Sequence, residues 1–213
     1  AQYIEDRSKM LAALAIRNTV NTEGTVVLGQ EGEQILYSDR KIQADGKPIK
    51  FQTIPFNNVP QDPNPREFAF GASGADVFQG RGKSDHYFGE GGTDYLIGKG
   101  DADHLEGGSG LDVYSYRASN ILGVNSNDGA DTIRDVDGKG VLRYEFRNGL
   151  FASPRSTVIA DASVKLNDTT WQSTDGNFRY TKGPNAEGGT DLVVTINGDA
   201  GGSMTLKDYR DGD

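Results

Sequence analysis

Cysteine is absent from the 213 residues, which excludes disulfide stapling, thiol catalysis and cysteine-held zinc. Such a chain tolerates an oxidising compartment without requiring one. Histidine is nearly absent, with only His86 and His104, and no Gly-x-Ser-x-Gly elbow occurs, so neither a serine nor a cysteine triad can be assembled. No apolar run approaches 18 residues and no charged-then-apolar leader opens the sequence, so neither a membrane span nor a signal peptide is expected. Basic residues are in deficit, 22 against 31 acidic, for a net charge of −9. They are also dispersed, leaving no basic stripe to displace counterions from phosphates, so no nucleic-acid partner is expected. At 35% hydrophobic residues the chain is lean for a compact globule, so part of its stability must come from elsewhere.

What is present is a period of nine. Residues 71–115 divide into GASGADVFQ, GRGKSDHYF, GEGGTDYLI, GKGDADHLE and GGSGLDVYS, with Gly first, Asp sixth (Asp76, Asp85, Asp94, Asp103, Asp112) and a large apolar residue eighth. A flexible Gly/Asp linker has no reason to hold that register five times over. A half-turn of six loop residues and three strand residues places every second repeat on the same side of a flattened coil. Residues 18 apart then stack at the β spacing of roughly 4.8 Å. Position 8 points inward, so Phe78, Tyr87, Leu96, Leu105 and Tyr114 form the expected core. Between Gly71 and Asp112 eight acidic residues face three basic ones, so −5 of the net charge lies in a fifth of the chain. Stacked acidic loops of this kind require cations.

The repeats resemble those of RTX (repeats-in-toxin) exoproteins. The resemblance implies a mainly β fold: a right-handed parallel β-roll with calcium-binding nonapeptide turns, flanked by an N-terminal helix and cap and a C-terminal antiparallel β region. It also implies about three calcium ions, each between repeat n and repeat n+2. On that pattern the first site takes the carbonyls of Ala72, Gly74, Gly89 and Gly91 with Asp76 and Asp94. The second takes the carbonyls of Arg81, Lys83, Gly98 and Gly100 with Asp85 and Asp103. The third takes the carbonyls of Glu90, Gly92, Gly107 and Ser109 with Asp94 and Asp112. Lys83 and Asp101 replace the usual fourth-position glycine, which weakens the middle site. Asp131, two residues before Ile133 in an inserted sixth half-turn, is a further candidate ligand that would join Asp103.

Three zones follow: 1–70 as helix and cap, 71–117 as the roll, and 118–213 as a C-terminal β-rich cap, together one integrated domain. Residues 1 to about 18 read as a helix with Ile4, Leu11, Leu14 and Ala15 on one face and a Glu5/Lys9 pair at i,i+4. Thr25–Leu28 reads as a strand and Asp45-Gly46 as a turn. Prolines 55, 60, 63 and 65 break the chain before the roll, and Asp62-Pro63 is read as part of that connector. Downstream, Leu142–Arg147 alternates strictly, while 191–196 and 203–206 flank a Gly-rich turn and form a hairpin. Asp135 and Asp137 read as a solvated acidic turn, since Ile133 and Tyr144 would occupy the first and last ligand positions of an EF-hand. The chain halts at Asp211-Gly212-Asp213, as a piece of something longer would.

His86 and His104 share position 7 one coil turn apart and read as an exposed ladder. The opposite sheet, with Val77, Tyr95, Val113 and Ile97 outward, is the one expected to be covered. In function the resemblance implies a secreted bacterial calcium-binding module, with the type I secretion apparatus and an upstream domain as partners, and no catalysis of its own. The alternative is the C-terminal domain of a secreted lipase-type hydrolase, on the likeness of Asp6-Arg7-Ser8-Lys9-Met10-Leu11 to the junction in RTX lipases. A glycan-binding adhesin is disfavoured by the single repeat tract and the lone Trp171.

Overall fold

The computed structural model describes residues 1–20, 25–27, 33–44, 46–55, 60–122, 124–160, 162–197 and 202–210. Leu28, Asp45 and 211–213 lie outside the described residues. Helix α1 (Gln2–Val20) is followed by β1 (Thr25–Val27), β2 (Ile35–Ala44), β3 (Lys47–Ile54) and β4 (Arg66–Phe70). The nonapeptides supply β5 (Val77–Gln79), β6 (His86–Phe88), β7 (Tyr95–Ile97), β8 (His104–Gly108) and the start of β9 (Val113–Ile121). Next come β10 (Val124–Asn127), β11 (Ala130–Asp135), β12 (Val141–Asn148), β13 (Arg155–Val158), β14 (Val164–Lys165) and β15 (Thr170–Gln172). The last three strands are β16 (Phe178–Pro184), β17 (Thr190–Ile196) and β18 (Ser203–Leu206).

The repeats wind the chain alternately between two sheets. Odd repeats pair in parallel as β5-β7-β9, with Val77 opposite Tyr95 and Tyr95 opposite Val113. Even repeats pair in parallel as β6-β8, with His86 opposite His104. The register is the 18 residues expected. All five position-8 side chains are buried between the sheets, and they share one cluster with Ile133, Phe178, Tyr180, Val194 and Met204. The repeats thus contribute the middle of a longer core.

The parallel ladders continue past the repeats, which corrects the expected antiparallel C-terminal region. β12 pairs in parallel with β9, and β11 pairs in parallel with both β8 and β18. Antiparallel pairing begins only further out, at β9/β10, β12/β13, and from β14 to β18, including the expected β17/β18 hairpin. Strict alternation fixes which residues face the core, not the direction of the neighbouring strand, so Leu142–Arg147 was compatible with either pairing.

The helix and its covered sheet also differ from expectation. α1 runs two residues past Asn18, and its Glu5–Lys9 ion pair is present at 2.5 Å. Its buried residues are Asp6, Met10 and Ala13, whereas Ile4 and Leu11 are exposed. Met10 and Ala13 pack with Tyr37, Ile49, Phe51, Phe68, Phe70 and Phe88, and Tyr3 makes edge contacts to Phe70 and Phe88. That is the outer face of the histidine-bearing sheet. The expectation that the histidine face is open therefore fails, and the Val77 face is covered only in part: Val77 is 61% exposed, Tyr95 and Val113 are half-buried, and Ile97 is buried. β4 explains the choice, because Phe68 and Phe70 stack in register on His86 and Phe88 and widen the aromatic surface the helix can bury.

Candidate metal centre

The five repeat aspartates are all buried, and Asp131 joins them. They form two chains. On the odd side the Asp76 amide donates to Asp94 Oδ1 at 2.8 Å, and the Asp94 amide to Asp112 Oδ1 at 2.9 Å. On the even side the Glu67 amide donates to Asp85 Oδ1, Asp85 to Asp103, and Asp103 to Asp131, at 2.6, 2.6 and 3.1 Å. The inserted half-turn therefore occupies the next register position, with Ile133 opposite Leu105 as the spacing suggested.

The second carboxylate oxygens divide into two kinds. Asp76 Oδ2 accepts the Ala72 amide and Asp85 Oδ2 the Arg81 amide, at 2.7 and 3.0 Å. Asp94, Asp103 and Asp112 each keep a buried Oδ2 with no hydrogen-bond partner. A buried carboxylate oxygen left unmatched costs free energy unless a cation or a proton meets it. Burial accordingly raises the pKa of Asp94 to about 6 and that of Asp103, which also faces the Asp131 carboxylate, to about 9. Burial lifts Asp131 to about 8 and raises Asp85 and Asp112 as well.

The loop carbonyls are partly committed. Those of Ala72, Arg81 and Glu90 accept the amides of Gly91, Gly100 and Ser109 one turn along, and Ser109 accepts the amide of Gly92. Each such carbonyl retains a second lone pair. Gly74, Gly89, Gly98 and Gly107 direct their carbonyls at the stacked loop, close enough that a Cβ on Gly92, Gly71, Gly80 or Gly89 would overlap them. Gly71, Gly80 and Gly89 are doubly constrained, because the carboxylates of Asp76, Asp85 and Asp94 lie against the same positions. Lys83 ion-pairs with Asp62 at 2.5 Å, and Asp101 adopts a left-handed φ of 72° in the place of a glycine.

Among the described residues no three His, Cys, Asp or Glu side chains converge tightly enough to hold a metal by themselves. An ion in these turns would depend on two carboxylates and several carbonyls, a hard oxygen set of the kind calcium takes. The orphaned oxygens of Asp94, Asp103 and Asp112 fit such an ion. The histidines do not form a site: His86 Nδ1 lies 2.6 Å from Asp6 Oδ2 and His104 Nε2 2.8 Å from Glu106 Oε1, both half-buried under or beside the helix. Asp137 accepts the Gly110 amide and Asp135 accepts that of Gly140, so these residues close the last odd turn, and Asp135 is half-buried, not solvated.

Several participants carry no sequence signal. A β-bulge between Asp39 and Gln43, closed by Asp39 Oδ1 on the amides of Lys41 and Ile42, sends Arg40 to Asp76 Oδ1 at 2.5 Å and Lys41 to Glu90. Asp39 is buried and ion-paired with Arg7 of the helix at 2.5 Å. The Gly107 amide donates to the Tyr114 hydroxyl oxygen at 2.9 Å, and the Tyr87 hydroxyl donates to Asp85 Oδ2 at 3.3 Å. Tyrosine instead of leucine at position 8 was the available clue to that last pair.

The arrangement is that of a mainly β protein in which parallel strands present two stacked rows of buried carboxylates. No family model matches the chain, and no curated protein matches it. A solved structure is similar: the solution structure of the AlgE6R3 subunit of the Azotobacter vinelandii mannuronan C5-epimerase. It is 22% identical, with 64% of this chain and 72% of that chain covered, at a TM-score of 0.28.

Proposed function

We propose that this chain is a calcium-binding module, a right-handed β-roll that folds on binding calcium outside the cell and serves the export and folding of a larger secreted protein. The observation that carries the reading is the set of three buried, partnerless carboxylate oxygens on Asp94, Asp103 and Asp112. The ions would be held by the Asp76/Asp94, Asp85/Asp103 and Asp94/Asp112 pairs with the loop carbonyls already named. Bound calcium supplies positive charge that offsets the desolvation of these carboxylates. Cytoplasmic calcium is too scarce to do so, and type I secretion of an unfolded chain is the export route the repeats imply. On this reading the chain contributes no catalytic group, and a hydrolase of the lipase kind upstream would carry any reaction.

Because the acidic loops bind only when stacked, binding and folding form one equilibrium. At a calcium concentration 100 times Kd each ion contributes about 2.7 kcal/mol by mass action. Three ions would together raise the melting temperature by on the order of 20 °C in a domain of this size. Circular dichroism and calorimetric titration test this. The expected result is strand loss in chelator, recovery on adding calcium, and a stoichiometry near three. Unchanged strand content and melting temperature after complete chelation would overturn it.

A further inference from the structure

One end of the six-stranded sheet presents large apolar side chains to solvent on a braced support. β9 and β12 finish together, with Asn120 opposite Asn148 and the Gly149 amide on the Asn120 carbonyl at 2.8 Å. Each then turns back as an antiparallel hairpin, into β10 and β13. The two adjacent tips carry Leu122, 86% exposed, Leu150, 46%, and Phe151, 95%. The second tip is held in shape: Arg147 donates to the carbonyls of Leu150 and Ala152, and the Ala152 amide donates to the Gly149 carbonyl at 3.3 Å. In the first hairpin the hydroxyls of Ser119 and Ser126 meet at 2.7 Å.

The two hairpin segments themselves run against the charge of the whole molecule, although Asp175 lines the same cleft as Arg155 and Ser126. The chain has 31 carboxylates, yet residues 118–127 and 146–159 contain none. Arg147 and Arg155 flank the Phe151 tip instead. A protruding phenyl and two leucyl side chains beside the exposed Arg155 guanidinium match an anionic lipid surface, where the apolar tips enter the acyl boundary and Arg155 meets phosphate.

We infer that the paired β9–β10 and β12–β13 tips are a peripheral docking surface for an anionic lipid bilayer. The test is sedimentation of the calcium-loaded 213-residue chain with vesicles of phosphatidylcholine alone and of phosphatidylcholine with phosphatidylglycerol. Partition should favour the anionic vesicles by about tenfold or more and weaken with salt. The Leu122→Ser/Phe151→Ser double variant should lose about tenfold of it with an unchanged thermal melt, and Arg155→Gln should lose severalfold. In case the double variant folds poorly, Phe151→Trp reads the same tip directly: its emission should shift to the blue on anionic vesicles beyond any change at Trp171. Failure of the unmodified chain to bind anionic vesicles, or binding that the tip substitutions leave intact, overturns the inference. So does a concentration-dependent dimer abolished by the double variant in the absence of vesicle binding, which would assign the tips to a second copy of the chain.

Discussion

The first two turns and the last three share a sequence pattern but not a conformation. In repeats three to five, positions 2 and 4 are left-handed: Glu90, Lys99 and Gly108 at one, Gly92, Asp101 and Gly110 at the other, with φ from 72° to 123°. Ala72, Gly74, Arg81 and Lys83 in the first two repeats stay outside that region. Where position 2 is not left-handed its amide binds the turn's own aspartate, and where it is left-handed that bond is not made and the oxygen stays bare. The first pair of turns is further satisfied from outside, by Arg40 on Asp76 and the Glu67 amide on Asp85. One half of the stack is thus closed by the protein itself, while the other half holds Glu90, Lys99 and Asp101 in a conformation costing about 1–2 kcal/mol each for a non-glycine residue. On the proposed function, a bound cation would offset that cost.

Hydrogen exchange gives the largest contrast between the halves. On chelation, amides of residues 89–112 should lose protection by about a hundredfold or more, while those of residues 71–88 lose about tenfold or less. Equal loss in both halves would erase the distinction. Next in size is Asp94→Ala beside Asp76→Ala. Asp94 is linked to turns on both sides, so its loss should remove two bound ions and on the order of 3–5 kcal/mol, against one ion and about half that cost for Asp76. Calorimetric titration of the two variants decides this, and equal losses would show that the pairing is misassigned.

Acidity should separate the halves more gently. The raised folded-state values for Asp94, Asp103 and Asp131, about 6, 9 and 8, exceed the unfolded value of 3.8. Their contribution to the calcium-free fold is therefore fully present below pH 3.8 and is lost as pH rises through the folded values, from about 6 to about 9. In chelator the melting temperature should be higher at pH 5 than at pH 8. With calcium the order should reverse, because protons compete with the ion. A chelator melt that rises with pH would contradict the bare-oxygen assignment. The smallest effect is expected from Arg40→Gln. The guanidinium is partly exposed, so its loss should cost about 1 kcal/mol or less while raising affinity at the Asp76/Asp94 pair severalfold at low salt.

The nine-residue period made the strands, their 18-residue register, the inward position-8 residues and the buried aspartates legible, because each repeats and each repetition tests the frame. The helix face was not legible. Its buried side includes Asp6, with Arg7 half-buried beside it; these meet His86 and Asp39 from distant segments, and hydropathy alone ranks Ile4 and Leu11 above them. The extension of the ladders by β11 and β12 was hidden because insertions break the period, and only Asp131 and Ile133 preserved the frame across one of them. The difference between the turns was hidden for another reason. Ala72 and Arg81 look no less permissive than Glu90 and Lys99, and the left-handed choice is made by the stack.

The aspartate chains also have a direction. Every amide in them waits for a carboxylate supplied by a later turn, Asp76 by Asp94 and Asp94 by Asp112, while no carboxylate waits for an earlier one to be placed. Such a ladder is polar along the coil: each turn's carboxylate caps the amide of the turn before it, and at the N-terminal end Arg40 on Asp76 and the Glu67 amide on Asp85 complete the rows.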